Sequence, residues 1–187
     1  MMISDRFTKA VELAVEVHKG QLKKLTDNPY IFHPLAVASL VMQYGGDEEQ
    51  AMAAVVHDTI DSISRAELEN NFGKRVAALA FGFADPELPA NPTWRQSKEA
   101  YLGKISKLTE EFVLIIACEE LHDGRELAHD LKNYGRKTLE RYPVPHPDVF
   151  WYYQSLADIF AKTNISAALK NSFQTMLLDL ILELEGK

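Results

Sequence analysis

Cysteine is nearly missing from this chain: Cys118 is the only one in 187 residues. That excludes a disulfide framework and any zinc knuckle built on Cys-x-x-Cys pairs, and it suits a reducing compartment. Set in an apolar helical stretch, this thiol reads as core. Long apolar runs are missing as well. None approaches the roughly 20 residues needed to span a bilayer, so no membrane role is expected. Met1 to Asp5 hold neither a basic nor an apolar region, so no signal peptide is expected and a cytoplasmic location is. Basic residues are in deficit, with 20 Lys+Arg against 27 Asp+Glu for a net charge of −7. Such a chain is a poor match for a polyanion, which argues against DNA or RNA as a partner. Period-two alternation is scarce, and no internal repeat or low-complexity segment appears.

What is present is a hydrophobic fraction of 47% arranged at helical spacing. Ser4 and Asp5 open a first helix carrying Phe7, Val11, Ala14, Val15 and His18, which Gly20 ends. Pro34 suits a first helical position, and Gly45-Gly46 stops that helix. Asp47 can cap a helix over residues 48–60, and Ser64 with Glu67 and Thr93 with Gln96 form capping boxes for two more. Residues 73–83 make a small-residue apolar helix. The longest apolar run, residues 112–118, continues helically towards Leu131, and a short helix follows over 134–141. Prolines place loops at 84–92 and 143–147, and Asp148 caps a helix with Trp151, Tyr152, Tyr153, Leu156 and Phe160. A last helix runs over about 165–185. Its apolar face, with Leu177, Leu180, Ile181 and Leu184, can pack inside or against a partner, so oligomeric state stays open. The fold expected is all-α: one domain, residues 1–187, a helical bundle of eight to ten helices.

The charge is uneven. Residues 1–46 carry five basic and four acidic side chains, so the remainder holds −8. The acidic excess concentrates in 47–69 and 110–130. The first contains His57-Asp58 at the end of the apolar run Ala53-Ala54-Val55-Val56, and the second contains Glu119 and His122-Asp123. Solvated helix faces account for such charge by default. Yet a His–carboxylate pair at the end of a buried stretch is costly unless paired or metal-bound, and imidazole with carboxylate suits Mn²⁺, Fe²⁺ or Zn²⁺. A divalent ion of that kind lowers the pKa of water from ~16 towards ~7.

Order and spacing narrow the possibilities. The chain reads Val17-His18-Lys19-Gly20-Gln21-Leu22-Lys23-Lys24, then Pro29-Tyr30-Ile31-Phe32-His33-Pro34, then Val55-Val56-His57-Asp58-Thr59-Ile60-Asp61. Asn71-Phe72-Gly73-Lys74-Arg75-Val76, Thr93-Trp94-Arg95-Gln96-Ser97-Lys98, Leu121-His122-Asp123 and Trp151-Tyr152-Tyr153 complete the series. From about residue 5 to residue 160 this resembles the RelA/SpoT-type HD hydrolases, most closely the small stand-alone members without a nucleotide synthetase domain. The combination of PYIxHP, HD and FGxxV in one order carries the resemblance.

The resemblance implies an all-helical HD domain holding one divalent metal, Mn preferred with Fe, Zn or Mg as alternatives. It implies removal of the 3′-pyrophosphate of ppGpp and pppGpp; animal relatives are associated with phosphate removal from NADPH. The family's ligands map onto His33, His57 and Asp58, with Glu119 where relatives have Asp. The added methylene lengthens the reach by ~1.5 Å, while metal–ligand distances tolerate about ±0.2 Å. The family's catalytic Glu-Asp pair falls on Asp61 and Ser62, so Asp61 and the ligand Asp58 are the catalytic candidates. Ser62 supplies no carboxylate for acid–base work. Lys23, Lys24, Lys98 and Asp123 match substrate-binding positions. Lys23 replaces an arginine and loses its bidentate fork, and Asp123 replaces an asparagine. Arg95 also matches a position near substrate phosphates. Three readings are open: a metal-dependent phosphohydrolase acting on a small phosphorylated nucleotide, a catalytically weakened relative that senses such a ligand, and an all-α interaction module.

Overall fold

A computed structural model describes residues 3–23, 26–82, 84, 86, 90–141 and 146–185. Among them are nine α-helices and no sheet: α1 Asp5–Val17, α2 Phe32–Gln43, α3 Glu48–Val56, α4 Arg65–Phe72, α5 Lys74–Phe81, α6 Trp94–Ile105, α7 Glu110–Tyr134, α8 His146–Ala161 and α9 Ala167–Glu185. Two 3-10 segments, His57–Thr59 and Gly135–Arg141, complete the all-α class expected. The helices gather into two compact units. The first holds Met1–Ala84 with Leu114–Glu119, and the second holds Asp85–Val113 with Glu120–Lys187.

In the first unit α3 is the centre. Gln50 to Val56 are all buried, and α1, α2 and α5 pack around them. A helix apolar on every side belongs inside a core rather than at its edge. Asp47 caps α3 by accepting from the Gln50 N–H at 2.9 Å, and the Gln50 side chain accepts from the Asp47 N–H in return. Arg75 of α5 pairs with Asp47 at 2.8 Å and with Glu49 at 3.2 Å, tying α5 to the same helix start. Gly46 is required by close approach. A Cβ there would meet Val41 Cγ1, lie 2.9 Å from the Val41 carbonyl and 3.3 Å from Leu114 Cδ2.

In the second unit α8 packs on α6 and α9, with Phe160 and Phe173 edge to face at 5.0 Å between centroids. Gly135, at φ 70°, ends α7 in the left-handed region that glycine adopts without strain.

Several boundaries differ from the sequence expectation. α2 begins at Phe32, two residues before Pro34. Ser4 makes no side-chain cap; its backbone N–H donates to Glu48 Oε1 at 2.5 Å instead. The helix over 48–60 stops at Val56, and the following turn winds as 3-10. Residues 135–141 are 3-10 as well, because the Gly135 conformation breaks the α-helical path. Asp148 lies inside α8 rather than capping it, and its carboxylate accepts from Arg95 at 3.0 Å. Pro147 is likewise within α8. The other prolines of that expected loop, Pro143 and Pro145, lie outside the described residues, as do Lys24 and parts of the 84–92 loop, Pro89 included.

Candidate metal centre

His33, His57 and Asp58 converge in the first unit from two helical starts and ends. His33 is the second residue of α2, and its backbone N–H donates to the Tyr30 carbonyl at 2.9 Å. His57 and Asp58 form the 3-10 turn that closes α3. One donor atom from each of His33, His57 and Asp58 lies within 4.8 Å of the other two, and both imidazoles are buried. Asp58 Oδ2 is the shared vertex: 3.2 Å from His57 Nε2 and 3.7 Å from His33 Nε2.

The 3-10 turn sets the chemistry of His57. Its Nδ1 lies 2.7 Å from the Ala54 carbonyl, which only accepts, so Nδ1 carries a proton. Nε2 is then the nitrogen that faces the carboxylates and the one that can ligate. Glu119, from the stretch of α7 that belongs to the first unit, brings Oε1 to 3.6 Å from that Nε2. The longer side chain reaches His57. Its other oxygen, Oε2, is buried with no hydrogen-bond partner among the described residues. Burial opposes charge on His57, but Glu119, Asp58 and the Ala54 carbonyl outweigh it and hold its pKa at about 9. Two imidazoles and two carboxylates, one with a buried bare oxygen, form a donor set that fits a borderline or hard divalent cation.

Tyr30 is a participant that sequence reasoning left without a role. Its hydroxyl donates to Asp58 Oδ2 at 2.6 Å, and its ring makes tilted contacts with His18 at 5.1 Å and His33 at 5.5 Å between centroids. The available signal was its place three residues before His33. His18, buried at the end of α1, holds Gln21 through Nδ1 at 2.9 Å.

The other expected site residues are placed as follows. Asp61 and Ser62 sit exposed on the turn after the dyad. Lys23 is half-buried, its backbone N–H donating to Asn28. In the second unit, Lys98 lies 4.5 Å from the Tyr152 ring centroid and 5.5 Å from that of Tyr101. Asp123 follows Glu119 by one turn of α7 and comes to 3.9 Å from its neighbour His122. Arg95 is committed elsewhere: it pairs with Glu99 and Asp148, each at 3.0 Å, and its guanidinium covers Trp151 at 3.2 Å. Tyr152 and Tyr153 are buried, and the Tyr152 hydroxyl donates to Glu120. These aromatics are therefore core.

The HD domain model matches residues 10–142. The Escherichia coli bifunctional (p)ppGpp synthase/hydrolase SpoT is 31% identical over 154 residues, covering 75% of this chain and 21% of that protein. A Haemophilus influenzae guanosine-3′,5′-bis(diphosphate) 3′-pyrophosphohydrolase is 31% identical over 144 residues, covering 72% of this chain and 21% of that protein. The chain thus spans about a fifth of the length of these relatives. Among solved structures, a metazoan ortholog of SpoT, described as hydrolysing ppGpp, matches with a TM-score of 0.75 at 20% identity, over 100% of this chain and 98% of that one. A Listeria monocytogenes protein matches with a TM-score of 0.66 at 18% identity, over 78% of this chain and 96% of that one. These two likenesses show the fold. The chain belongs to the HD-domain family, and its sequence relatives are of the RelA/SpoT type. An HD domain implies a divalent metal. Among the described residues no helix is long and apolar enough to cross a membrane.

Proposed function

We propose that this protein is a metal-dependent phosphohydrolase of the (p)ppGpp 3′-pyrophosphohydrolase type, residues 1–187 acting as one HD-type domain in the cytoplasm. The convergence of His33, His57 and Asp58 on one point, with Glu119 beside them, carries the reading. These four side chains hold one divalent ion, manganese in preference to iron, zinc or magnesium. Such an ion, when bound, supplies Lewis acidity and an acidified water for hydrolysis at phosphorus.

The chain supplies the rest. Asp61 orients the attacking water and accepts its proton, and Asp58 acts through its place among the ligands. Lys23, Lys24 and Lys98 offset the charge of the substrate phosphates. Asp123, in an asparagine's place, touches the substrate, where its negative charge opposes the anionic nucleotide. The similarity to (p)ppGpp hydrolases supports ppGpp as the first substrate to test, with NADPH as the second. No nucleic acid partner is proposed.

The test is metal analysis of protein purified with Mn²⁺, followed by incubation with ppGpp and NADPH and measurement of released pyrophosphate or phosphate. About one manganese per chain and turnover that vanishes in His57→Ala are expected. Absence of bound metal, with no thermal shift on adding Mn²⁺, overturns the reading. Metal and nucleotide binding without turnover would make the protein a sensor.

A further inference from the structure

We infer that Tyr30 is a positioning residue of the metal centre, fixing the Asp58 carboxylate so that Oδ2 is presented to the ion; the inference rests on the metal reading above. The hydroxyl donates at 2.6 Å to the same oxygen that lies 3.2 Å from His57 Nε2 and 3.7 Å from His33 Nε2. Asp58 needs such a restraint. It sits on a 3-10 turn and its side chain is 29% exposed, whereas the two imidazoles are held by burial. A half-buried carboxylate still has side-chain torsions to fix, and ordering them at the moment of binding costs affinity.

Tyr30 is itself held at several points. Its backbone N–H donates to the Gln21 carbonyl at 2.9 Å, and its own carbonyl accepts from His33 at 2.9 Å. The adjoining Pro29 bridges to Leu22, and the ring is flanked by His18 and His33. One residue thus sets the start of α2, where His33 sits, and through its hydroxyl sets the carboxylate from the end of α3. A neutral hydroxyl suits this task. It donates one hydrogen bond, leaves the negative charge of Asp58 intact for a cation, and does not compete for the metal as a third imidazole would.

Tyr30→Phe keeps the ring and removes only the hydroxyl. We expect manganese affinity, read from free Mn²⁺ by electron paramagnetic resonance, to fall about 10- to 100-fold, with the helical circular dichroism unchanged. A hydroxyl that merely supports the fold would lower the melting temperature in EDTA and leave the manganese Kd within twofold of wild type; that result overturns the inference. If Tyr30→Phe is too unstable to titrate, the manganese-induced rise in its own melting temperature is compared with that of His18→Phe, which alters the packing on the ring and keeps the hydroxyl. A smaller rise in Tyr30→Phe supports positioning, and equal rises overturn it. Wild-type protein that takes up no manganese overturns the metal reading itself, an outcome distinct from a tight wild-type site that Tyr30→Phe leaves unaltered.

Discussion

Glu119 reaches His57: its Oε1 lies 3.6 Å from Nε2, although the resemblance assigns this position to the shorter aspartate. The α7 backbone and the extra methylene together close the distance, and a second, bare oxygen remains buried beside the cluster. Glu119→Gln removes the charge and nearly nothing else. It should weaken manganese binding by about tenfold or more and lower the His57 pKa, whose upward push comes chiefly from Glu119. Glu119→Asp keeps the charge but shortens the reach by about 1.5 Å, so it should shift both in the same direction as Glu119→Gln. Isothermal titration and imidazole NMR titration check the pair.

Protons and metal compete for one nitrogen. In the metal-free protein His57 titrates at about 9, above its ordinary 6.5, so Nε2 is protonated at neutral pH. Ligation needs it bare, so uptake of manganese should release about one proton, and the apparent Kd should weaken about tenfold for each pH unit below that value. Calorimetry in buffers of different ionisation enthalpy measures the release. The raised pKa also makes a stabilising contribution that is full below the unfolded value of 6.5 and fades as pH rises through about 9. Urea melts in EDTA from pH 6 to pH 10 should follow that direction, and the trend should flatten in Glu119→Gln.

Ser62 occupies an exposed turn directly after Asp61. The resemblance puts a carboxylate there, and acid–base groups contribute typically about 10²- to 10⁴-fold to rate. Ser62→Asp should raise kcat for ppGpp hydrolysis by about tenfold or more while leaving the manganese Kd unchanged. An unchanged kcat would mean that leaving-group protonation does not limit the proposed reaction.

Gly46 offers a test of packing away from the metal. An alanine methyl would strike the Val41 side chain and carbonyl, while the Gly46 N–H already donates to that carbonyl at 2.8 Å. Overpacking of this kind costs about 1–3 kcal/mol, so Gly46→Ala should lower Tm by several degrees. Differential scanning calorimetry checks it.

The capping boxes were legible because they are local: Asp47 with Gln50, Ser64 with Glu67 and Thr93 with Gln96 each close within three residues. The all-α class followed from apolar spacing for the same reason. What escaped was decided by distant partners. Asp148 reads as a cap, but it serves Arg95, which lies 53 positions away, from inside α8. Tyr30 reads as one aromatic in an apolar turn, and its partner Asp58 is 28 positions on. The 3-10 winding of the dyad is equally invisible in its dipeptide, since periodicity does not separate a last α-turn from a tighter one. The residues named as ligands came from motif order, and the structure gathers His33, His57 and Asp58 with Glu119 beside them.

The spacing of the donors along the chain has a consequence for biosynthesis. His33, His57 and Asp58 all precede α4, whereas Glu119 arrives only with the middle of α7. A chain leaving the ribosome therefore carries the three earlier side chains well before the carboxylate proposed to complete the set is made.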